Sequence, residues 1–506
     1  CLYGVDIDPG AVEIAKLRLW LSLVVDEEDI RQIRPLPNLD YKIVCGNSLL
    51  GVEKNLFNLD LFNELERLKP LYFDETNATK KQEYKKQIDD LISQITNNNQ
   101  NFDFEVYFSE VFHGKGGFDI VIANPPYDVI KDSVLRGLYK ETIYGRANLY
   151  GLFIHKSIKG ILREQGILTF INPKTLLADA YFVNLRKYLK IKGDFVNILK
   201  IADRHNIFEE VLQACIVFTY RKKEPITNNK IRVIEIAERK DIGNSAVSLL
   251  VPKADVYQSQ QYNDCFLCSN NEHIYSLWNK VNSNTKPLSY YGLSFTTGKI
   301  QWDLFKEYLM ESPTKNSLRL IWAENIQRYC FKDSKMRIGK EYISHAQIPP
   351  NITNETIITQ RTTADEQEWR IIATKFSPKK TGFYAFSENH TNYMIGKSSI
   401  FNINYVLACL NSKLYDAIFR HINSNTQVSS SQLNSLPFCS LTDNQQQPFI
   451  NLVDQILAIT KDDDYLTNSI KQANVKEYEH QIDQMVYQLY DLTPEEIAVV
   501  EGFDKK

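Results

Sequence analysis

A rigid polar tetrapeptide, Asn124-Pro125-Pro126-Tyr127, follows the apolar run FDIVIA of residues 118–123. A residue that precedes proline is disfavoured from helical conformation, and two successive prolines fix the backbone and remove two N–H donors. The side-chain oxygen of Asn124 and the carbonyl oxygen of Pro125 are therefore expected to form a fixed pair of hydrogen-bond acceptors.

Such a pair suits the chemistry of a planar amine. The exocyclic amine of a nucleobase is a poor nucleophile because its lone pair is delocalised into the ring. Hydrogen bonds from the amine to Asn124 and Pro125 would favour a pyramidal nitrogen, whose lone pair can attack. Tyr127 would stack on the base, a contact worth roughly 1–3 kcal/mol, once the base is flipped out of its helix. The alternative is that the two prolines end a strand and Tyr127 caps it.

The elements around the tetrapeptide indicate an α/β sheet. Apolar strands are predicted at 118–123, 166–171, 194–201 and 214–220, with helical stretches such as NLYGLFIHKSIKGIL among them. This alternation predicts a mostly parallel sheet with helices on both faces, and the last two strands could be antiparallel at an edge. In an open parallel sheet, ligands bind where strands end at their carboxyl side, which is where the tetrapeptide follows residues 118–123.

The amino-terminal residues predict a strand followed by a capped helix. Residues 2–7 form a short apolar run, and Asp8 and Pro9 take the N-cap and first helical positions. The stretch YKIVCGNSLL supplies a second strand, and the polar residues of about 53–103 are predicted to be a helical insertion. Because the chain opens inside a strand without methionine, we expect a further strand, a Gly-rich turn and a helix before Cys1.

Overall composition is that of a globular protein without a strong charge. The hydrophobic content is 43% and the net charge is −3, so any basic surface must be local. Cys265 and Cys268 form the one CxxC pair among eight cysteines, and no secretory signal precedes them. We therefore expect reduced thiols, a cytoplasmic protein and no metal site. No apolar run approaches the roughly 18 residues that a membrane span needs.

One basic run in the second half of the chain suits contact with phosphates. Its five cations face a single acid, Asp333, which leaves a local excess of positive charge. The alternative is a solvated basic loop. The five cations are Arg328, Lys332, Lys335, Arg337 and Lys340.

Residues 1 to about 220 resemble the S-adenosylmethionine-dependent amino-methyltransferases, specifically the DNA adenine-N6 methyltransferases of type II or IIG restriction-modification systems. The family's NPPY motif is matched at residues 124–127. The resemblance implies a Rossmann-like methyltransferase sheet with helices on both faces. It also implies that Asp6 binds the cofactor ribose hydroxyls and that Ile7 lies beside the cofactor adenine.

Two further parts of the site follow from the same resemblance. The family commonly has an Asp near the cofactor adenine amine, whereas this chain has Asn47, followed by Ser48 and Leu49. Asparagine can still accept that hydrogen bond, so the departure changes only the charge at this position. A second aromatic of the family stacks on the target base, and its place in NIFEEVLQACIVF is taken by Phe208, which could instead be a core residue.

The second half of the chain resembles, more loosely, the target-recognition domains of such enzymes. The similarity is carried by LIWAENIQRY, IITQRTTADEQEWR and VLACLNSKLYDAIF, and IDQMVYQLYDLTPEEIAVVE resembles their carboxyl-terminal helix. The predicted organisation is a catalytic domain over 1–240, a mixed α+β recognition domain over 241–440 and a helical segment over 441–506.

The resemblance implies methyl transfer from S-adenosylmethionine to the N6 amine of a flipped adenine in double-stranded DNA. A cognate restriction endonuclease would be a partner, either fused upstream or encoded separately. Two alternatives stay open: transfer to another planar nitrogen in RNA, protein glutamine or cytosine N4, and a catalytically silent DNA-specificity module.

Overall fold

A computed structural model provides the fold and divides the chain into two compact units, residues 1–173 with 181–231, and residues 174–180 with 232–506. The structure describes residues 2–502 except 26–38, 40, 53–58, 98–100, 202–213, 237–246, 315–316, 333–338, 345–350, 364–366, 379–384 and 424–425.

The first unit alternates strands and helices. In chain order, its elements are β1 (Gly4–Asp6), α1 (Pro9–Val25), β2 (Ile43–Cys45), α2 (Leu59–Asp74), α3 (Ala78–Ile95), α4 (Phe104–Tyr107), α5 (Ser109–Lys115), β3 (Phe118–Ala123), α6 (Ser133–Leu138), α7 (Leu149–Lys156), β4 (Leu162–Pro173), α8 (Val183–Lys192), β5 (Gly193–Ile201) and β6 (Cys215–Lys222). The strands predicted at 118–123, 166–171, 194–201 and 214–220 are confirmed.

The sheet is mixed rather than mostly parallel. β3 and β4 pair in parallel with Ala123 opposite Phe170, so both strands end at the same edge. β6 then pairs antiparallel with β4 and with β5. The antiparallel arrangement predicted for the last two strands is confirmed and extends to β4. Within the first unit the described strand order is β3-β4-β6-β5, and β7 (Lys230–Ile236) and β8 (Ser248–Pro252) come next along the chain.

β1 and β2 form a separate parallel pair, in which Asp6 lies opposite Cys45. The predicted helix start after β1 is confirmed, because α1 begins at Pro9. The Asp8 carboxylate accepts hydrogen bonds from the backbone N–H of Gly10 at 2.6 Å and of Ala11 at 3.2 Å. This cap satisfies N–H groups that have no partner inside the helix.

The polar segment predicted to be helical contains α2 and α3, which pack on each other through a small apolar core. The Asn77 side chain caps α3 by accepting from the backbone N–H of Thr79 and Lys80. The core is formed mainly by this segment, but buried Tyr41 and Val106 from outside residues 53–103 also belong to it. Its buried members include Leu65, Leu68, Ile88, Ile92 and Val106.

The second unit is β-rich and then helical. Its strands after β8 are β9 (Thr285–Pro287), β10 (Leu293–Thr297), β11 (Leu309–Met310), β12 (Ser317–Ile321), β13 (Ile326–Gln327), β14 (Cys330–Phe331), β15 (Tyr342–Ser344), β16 (Thr356–Gln360), β17 (Ala373–Phe376), β18 (Ala385–Ser387), β19 (Thr391–Gly396) and β20 (Pro437–Cys439). Its described helices are α9 (Lys253–Val256), α10 (His273–Ser283), α11 (Ile403–Leu410), α12 (Lys413–Ile422), α13 (Ser430–Ser435), α14 (Asp443–Thr460), α15 (Ser469–Leu489) and α16 (Pro494–Gly502).

Two four-stranded sheets organise this unit, with the orders β10-β19-β16-β17 and β11-β15-β12-β18. The loop before β17 is fixed to α12, because the buried Asp416 carboxylate accepts from the backbone N–H of Arg370 and of Ile371 and pairs with Arg420 at 2.7 Å. A carboxylate removed from water is tolerated when such hydrogen bonds satisfy it.

In the part of the chain that the structure describes, no helix is long and apolar enough to cross a membrane. The same described residues contain no cluster of three or more His, Cys, Asp or Glu side chains that could bind a metal ion.

Candidate active site

The NPPY tetrapeptide lies directly after β3, at the edge of the sheet where β3 and β4 both end. Asn124 is exposed and Pro125 is buried. The Tyr127 hydroxyl lies 3.3 Å from the Asn124 Oδ1 atom and 3.4 Å from the carbonyl oxygen of Ile171 at the end of β4. Because an amide oxygen has two lone pairs, Asn124 can accept a second hydrogen bond from solvent or from a ligand.

The Tyr127 side chain is half-buried and points into the sheet edge through its hydroxyl. Burial raises the pKa of this hydroxyl, and the neighbouring Cys215 thiol raises it further. The hydroxyl therefore stays protonated at neutral pH and can donate a hydrogen bond. The ring meets Tyr150 of α7 edge to face, with 6.2 Å between centroids.

A residue that the sequence did not single out, Asn148, holds the tetrapeptide from the other side. Its Nδ2 atom donates to the carbonyl oxygen of Tyr127 at 2.5 Å. Two backbone bonds flank this contact, from Leu149 N to the Asp128 oxygen and from Ile130 N to the Ala147 oxygen. Asn148 stands at the N-cap position of α7, where asparagine is common, and that sequence signal alone predicts a helix cap.

The predicted cofactor residues lie at the ends of β1 and β2. Asp6 is exposed, and its Oδ1 atom accepts from the backbone N–H of Asp8 at 2.9 Å. Ile7 is 70% exposed. An exposed carboxylate beside an exposed apolar side chain fits a ribose and its attached base, so these two residues suit S-adenosylmethionine.

The loop after β2 is more enclosed. The Asn47 Oδ1 atom accepts from the backbone N–H of Leu49 at 3.1 Å, so this side chain also shapes its own turn. Ser48 is half-buried, and the Leu49 side chain is only 4% exposed. Since β1 and β2 are parallel neighbours, the structure brings this loop and Asp6 to the same edge.

The basic run is only partly described. Arg328 pairs with Glu479 at 2.8 Å, its guanidinium carbon lies 3.6 Å from the ring centroid of Trp369, and its side chain is 14% exposed. Lys340 pairs with Glu311 at 3.0 Å, and Lys332 is exposed. Arg328 is therefore paired within the protein, and its contact with a DNA phosphate stays a prediction. Three predicted site residues, Phe208, Lys335 and Arg337, lie outside the described residues.

Comparison with known proteins gives a consistent picture for the first unit. Residues 1–208 match the family described as Eco57I restriction-modification methylase. The type II methyltransferase M.PstI of Providencia stuartii is 26% identical over 67% of this chain and 68% of that protein. A putative type II restriction enzyme and methyltransferase of Methanocaldococcus jannaschii, RM.MjaORFECS2P, is 23% identical over 98% of this chain, which spans only 49% of that protein.

Among solved structures, the type IIL restriction-modification enzyme MmeI, determined in complex with DNA, matches over 100% of this chain and 73% of its own. The TM-score is 0.54 and the sequence identity is 12%, so this match concerns the fold. The predicted fold class is thereby confirmed: an α/β first part, a mixed middle region and a helical carboxyl terminus.

Proposed function

We propose that this chain methylates the N6 amine of adenine in double-stranded DNA, on the basis of the match of residues 1–208 to the Eco57I restriction-modification methylase family. The observation that carries the proposal is the pair of acceptors after β3. Asn124 is exposed, its Oδ1 atom accepts a hydrogen bond from Tyr127, and it directly precedes Pro125 in a backbone that two prolines restrict.

Each residue of the tetrapeptide has a role in this proposal. The Asn124 oxygen and the Pro125 carbonyl accept the two N–H groups of the target amine. The Tyr127 ring stacks on the flipped base. When bound, S-adenosylmethionine supplies an electrophilic methyl group on a sulfonium. The amine lone pair forms the new carbon–nitrogen bond, the carbon–sulfur bond breaks to leave a thioether, and one N–H proton passes to water.

Asp6 and the loop after β2 hold the cofactor in the same proposal. One oxygen of Asp6 is used by the backbone of Asp8, and the other can accept from a ribose hydroxyl. Ile7 offers an apolar surface to the cofactor adenine, and Asn47 can contact its amine. Phe208 is proposed for the second face of the target base on the resemblance alone.

The first prediction identifies the methylated atom. The complete natural protein is incubated with duplex DNA and methyl-labelled cofactor, the DNA is digested, and its nucleosides are separated by mass. We expect label in N6-methyl-2′-deoxyadenosine and none in N4-methyl-2′-deoxycytidine. The same protein is offered RNA and a glutamine-containing peptide in competition, and label in either of these instead would contradict the proposal.

A DNA-binding module without catalysis is the alternative of a different class. An intact NPPY tetrapeptide with an exposed Asn124 disfavours it, because a specificity module has no use for a pair of amine acceptors. Tight, sequence-specific DNA binding without any methyl transfer in the same assay would favour the module. A nuclease partner, fused or separate, remains part of the proposal because relatives include combined restriction enzymes and methyltransferases.

We further propose that cofactor binding needs one more strand, positioned between β1 and β3. Among the described strands, β1 pairs only with β2, and β3 pairs only with β4. The other edge of β3 therefore has no partner among the described strands. Ile120 and Ile122 of β3 are 58% and 76% exposed, so one face of the parallel β3–β4 pair lacks the cover that helices give to parallel strands. A strand ending in a Gly-containing turn at this place would also bring backbone close to the cofactor.

The second prediction follows from this gap. Residues 1–506 alone should bind S-adenosylmethionine at least about tenfold more weakly than the same residues preceded by native upstream sequence, because unpaired strand edges leave backbone donors and acceptors unsatisfied. Titration calorimetry on both proteins measures the two affinities. Equal affinity would show that residues 1–506 already contain the whole cofactor site.

A further inference from the structure

Helix α7 extends between the NPPY tetrapeptide and the loop after β2, and a side chain at each end bonds one of them. Asn148 directly precedes the helix, and Lys156 is its last residue. A helix of eight residues is about 12 Å long. The two loops that are proposed to hold the target base and the cofactor are thus attached to one rigid element.

At the beginning of α7, the Asn148 side chain bonds the tetrapeptide and not the helix. The Asn148 side chain forms no capping hydrogen bond to the helix. Its amide donates instead to the carbonyl oxygen of Tyr127 at 2.5 Å, and the backbone N–H of Leu149 donates to Asp128. Tyr127, the last residue of the tetrapeptide, and Asp128 after it are therefore bonded to the start of α7.

At its end, α7 contacts the loop after β2. The Lys156 Nζ atom donates to the carbonyl oxygen of Leu50 at 3.0 Å, and the hydroxyl of Tyr139 donates to that of Leu49 at 2.7 Å. Burial lowers the pKa of Lys156, and the Asp103 carboxylate partly offsets this effect. A lysine that loses hydration keeps its place when a carbonyl and a carboxylate compensate for the loss.

The contact between Lys156 and the loop leaves little free space. A Cβ atom built on Gly51 would lie 3.3 Å from Lys156 Nζ and 3.2 Å from Asp103 Oδ2. Asp103 also accepts from the backbone N–H of Val52 at 3.1 Å. The loop therefore fits between a lysine from α7 and an aspartate from the segment before α4, and both bond its backbone.

We propose that Asn148 and Lys156 are positioning residues for methyl transfer, which act through the two loops that α7 connects. Asn148 fixes the tetrapeptide that presents the amine acceptors, and Lys156 fixes the loop that faces the cofactor adenine. The inference rests on the proposed function, because it assigns base and cofactor to these loops. It predicts that loss of each residue affects a different kinetic constant.

The third prediction separates the two ends of α7 in the complete natural protein. Asn148→Ala should lower kcat about tenfold and leave the KM for S-adenosylmethionine within about twofold, because only the acceptor loop loses its support. Lys156→Met should raise the KM for S-adenosylmethionine about tenfold, and kcat at saturating cofactor should stay within about threefold. Steady-state methyl transfer to duplex DNA measures both constants.

Lys222→Met is the matched control. Lys222 Nζ likewise donates to a backbone carbonyl, that of Leu162 at 2.9 Å, but Lys222 lies on β6 and touches neither loop. We expect this variant to leave both constants unchanged, and Lys156→Arg to restore cofactor KM because it keeps a cationic donor. If Lys156→Met does not fold, Tyr139→Phe removes a hydroxyl that donates to the same loop, at Leu49, and tests the same expectation.

The outcomes distinguish this inference from the proposed function. A wild-type protein that transfers no methyl group to adenine refutes the proposed function and the inference with it. A wild-type protein that is active, with variants at Asn148 and Lys156 that change kcat and KM together or match Lys222→Met, refutes the inference alone. The split between kcat and KM is the result that a merely structural role would not produce.

Discussion

Asn124→Ala is expected to reduce kcat for methyl transfer by about 10³-fold, the loss seen when one preorganised polar group is removed from a reacting centre. Each tenfold loss corresponds to about 1.4 kcal/mol of barrier, so the expected effect is about 4 kcal/mol. Positive charge grows on the amine nitrogen as it attacks, and in the proposed function the Asn124 oxygen accepts a hydrogen bond from that amine. The effect should therefore appear in kcat rather than in the KM for DNA.

The same substitution should leave the folded state almost unchanged. Asn124 is exposed, and the described contact of its side chain is the hydrogen bond from Tyr127 at 3.3 Å. Loss of one such bond costs about 1 kcal/mol or less, which is a shift of a few degrees in melting temperature for a domain of this size. Thermal unfolding followed by circular dichroism gives the comparison.

Tyr127→Phe is the matched control for this prediction. It removes the hydroxyl that orients Asn124 but keeps the ring that would stack on the base, so we expect a loss of about tenfold or less. Methyl transfer by Asn124→Ala within tenfold of the wild-type rate would contradict the mechanism. A large drop in melting temperature would instead assign Asn124 to the fold.

The sequence was sufficient for features that depend on neighbouring residues. The apolar run before Asn124 predicted strand β3, and the pair Asp8-Pro9 predicted the start of α1, because caps and strand periodicity act over a few positions. The placement of the tetrapeptide at a strand end followed in the same way. These features also define most of the proposed site.

Contacts between distant residues could not be read in this way. Arg328 belonged to a basic run by its neighbours, yet its ion pair is with Glu479, 151 positions later. Asparagine before a helix is common as a cap, but the chain folds so that the Asn148 amide donates to the Tyr127 carbonyl instead. In both cases the local pattern was compatible with two partners, and tertiary packing selected one of them.

The second unit is predicted to read the DNA sequence, and the structure indicates which residues must be exchanged to test this. The sequence places the recognition domain at 241–440, but helices beyond 440 are bonded into the same unit. The Asp483 carboxylate of α15 accepts from the backbone N–H of Lys413, and Tyr415 and Tyr490 share a hydrogen bond at 2.9 Å. Burial raises the pKa of Asp483 to about 7.

A junction at 440 would therefore damage the unit. Arg328 and Glu479 would then come from two different proteins, so their ion pair would be lost. An unpaired buried charge costs about 3–5 kcal/mol. Such a junction would also separate Lys280 from Glu496 of α16, which lie 2.9 Å apart. A junction at about 232 keeps these pairs together, because residues 232–506 fall in one compact unit. The backbone bond from Phe266 N to the Leu177 oxygen needs no particular side chain and survives the exchange.

In the decisive chimera, residues 232–506 are replaced by the equivalent part of a relative that recognises another DNA sequence. We expect this chimera to methylate the relative's DNA sequence and not that of the parent protein. The rate at the new site should stay within about tenfold of the parent rate, since Asn124, Tyr127 and Asp6 are all retained. The positions of N6-methyladenine in the DNA of cells that express each protein give the result directly. A control chimera joined at 440 should lose stability and activity, because its junction breaks the ion pair between Arg328 and Glu479. If the chimera joined at 232 is active and still methylates the parent sequence, recognition resides in residues 1–231.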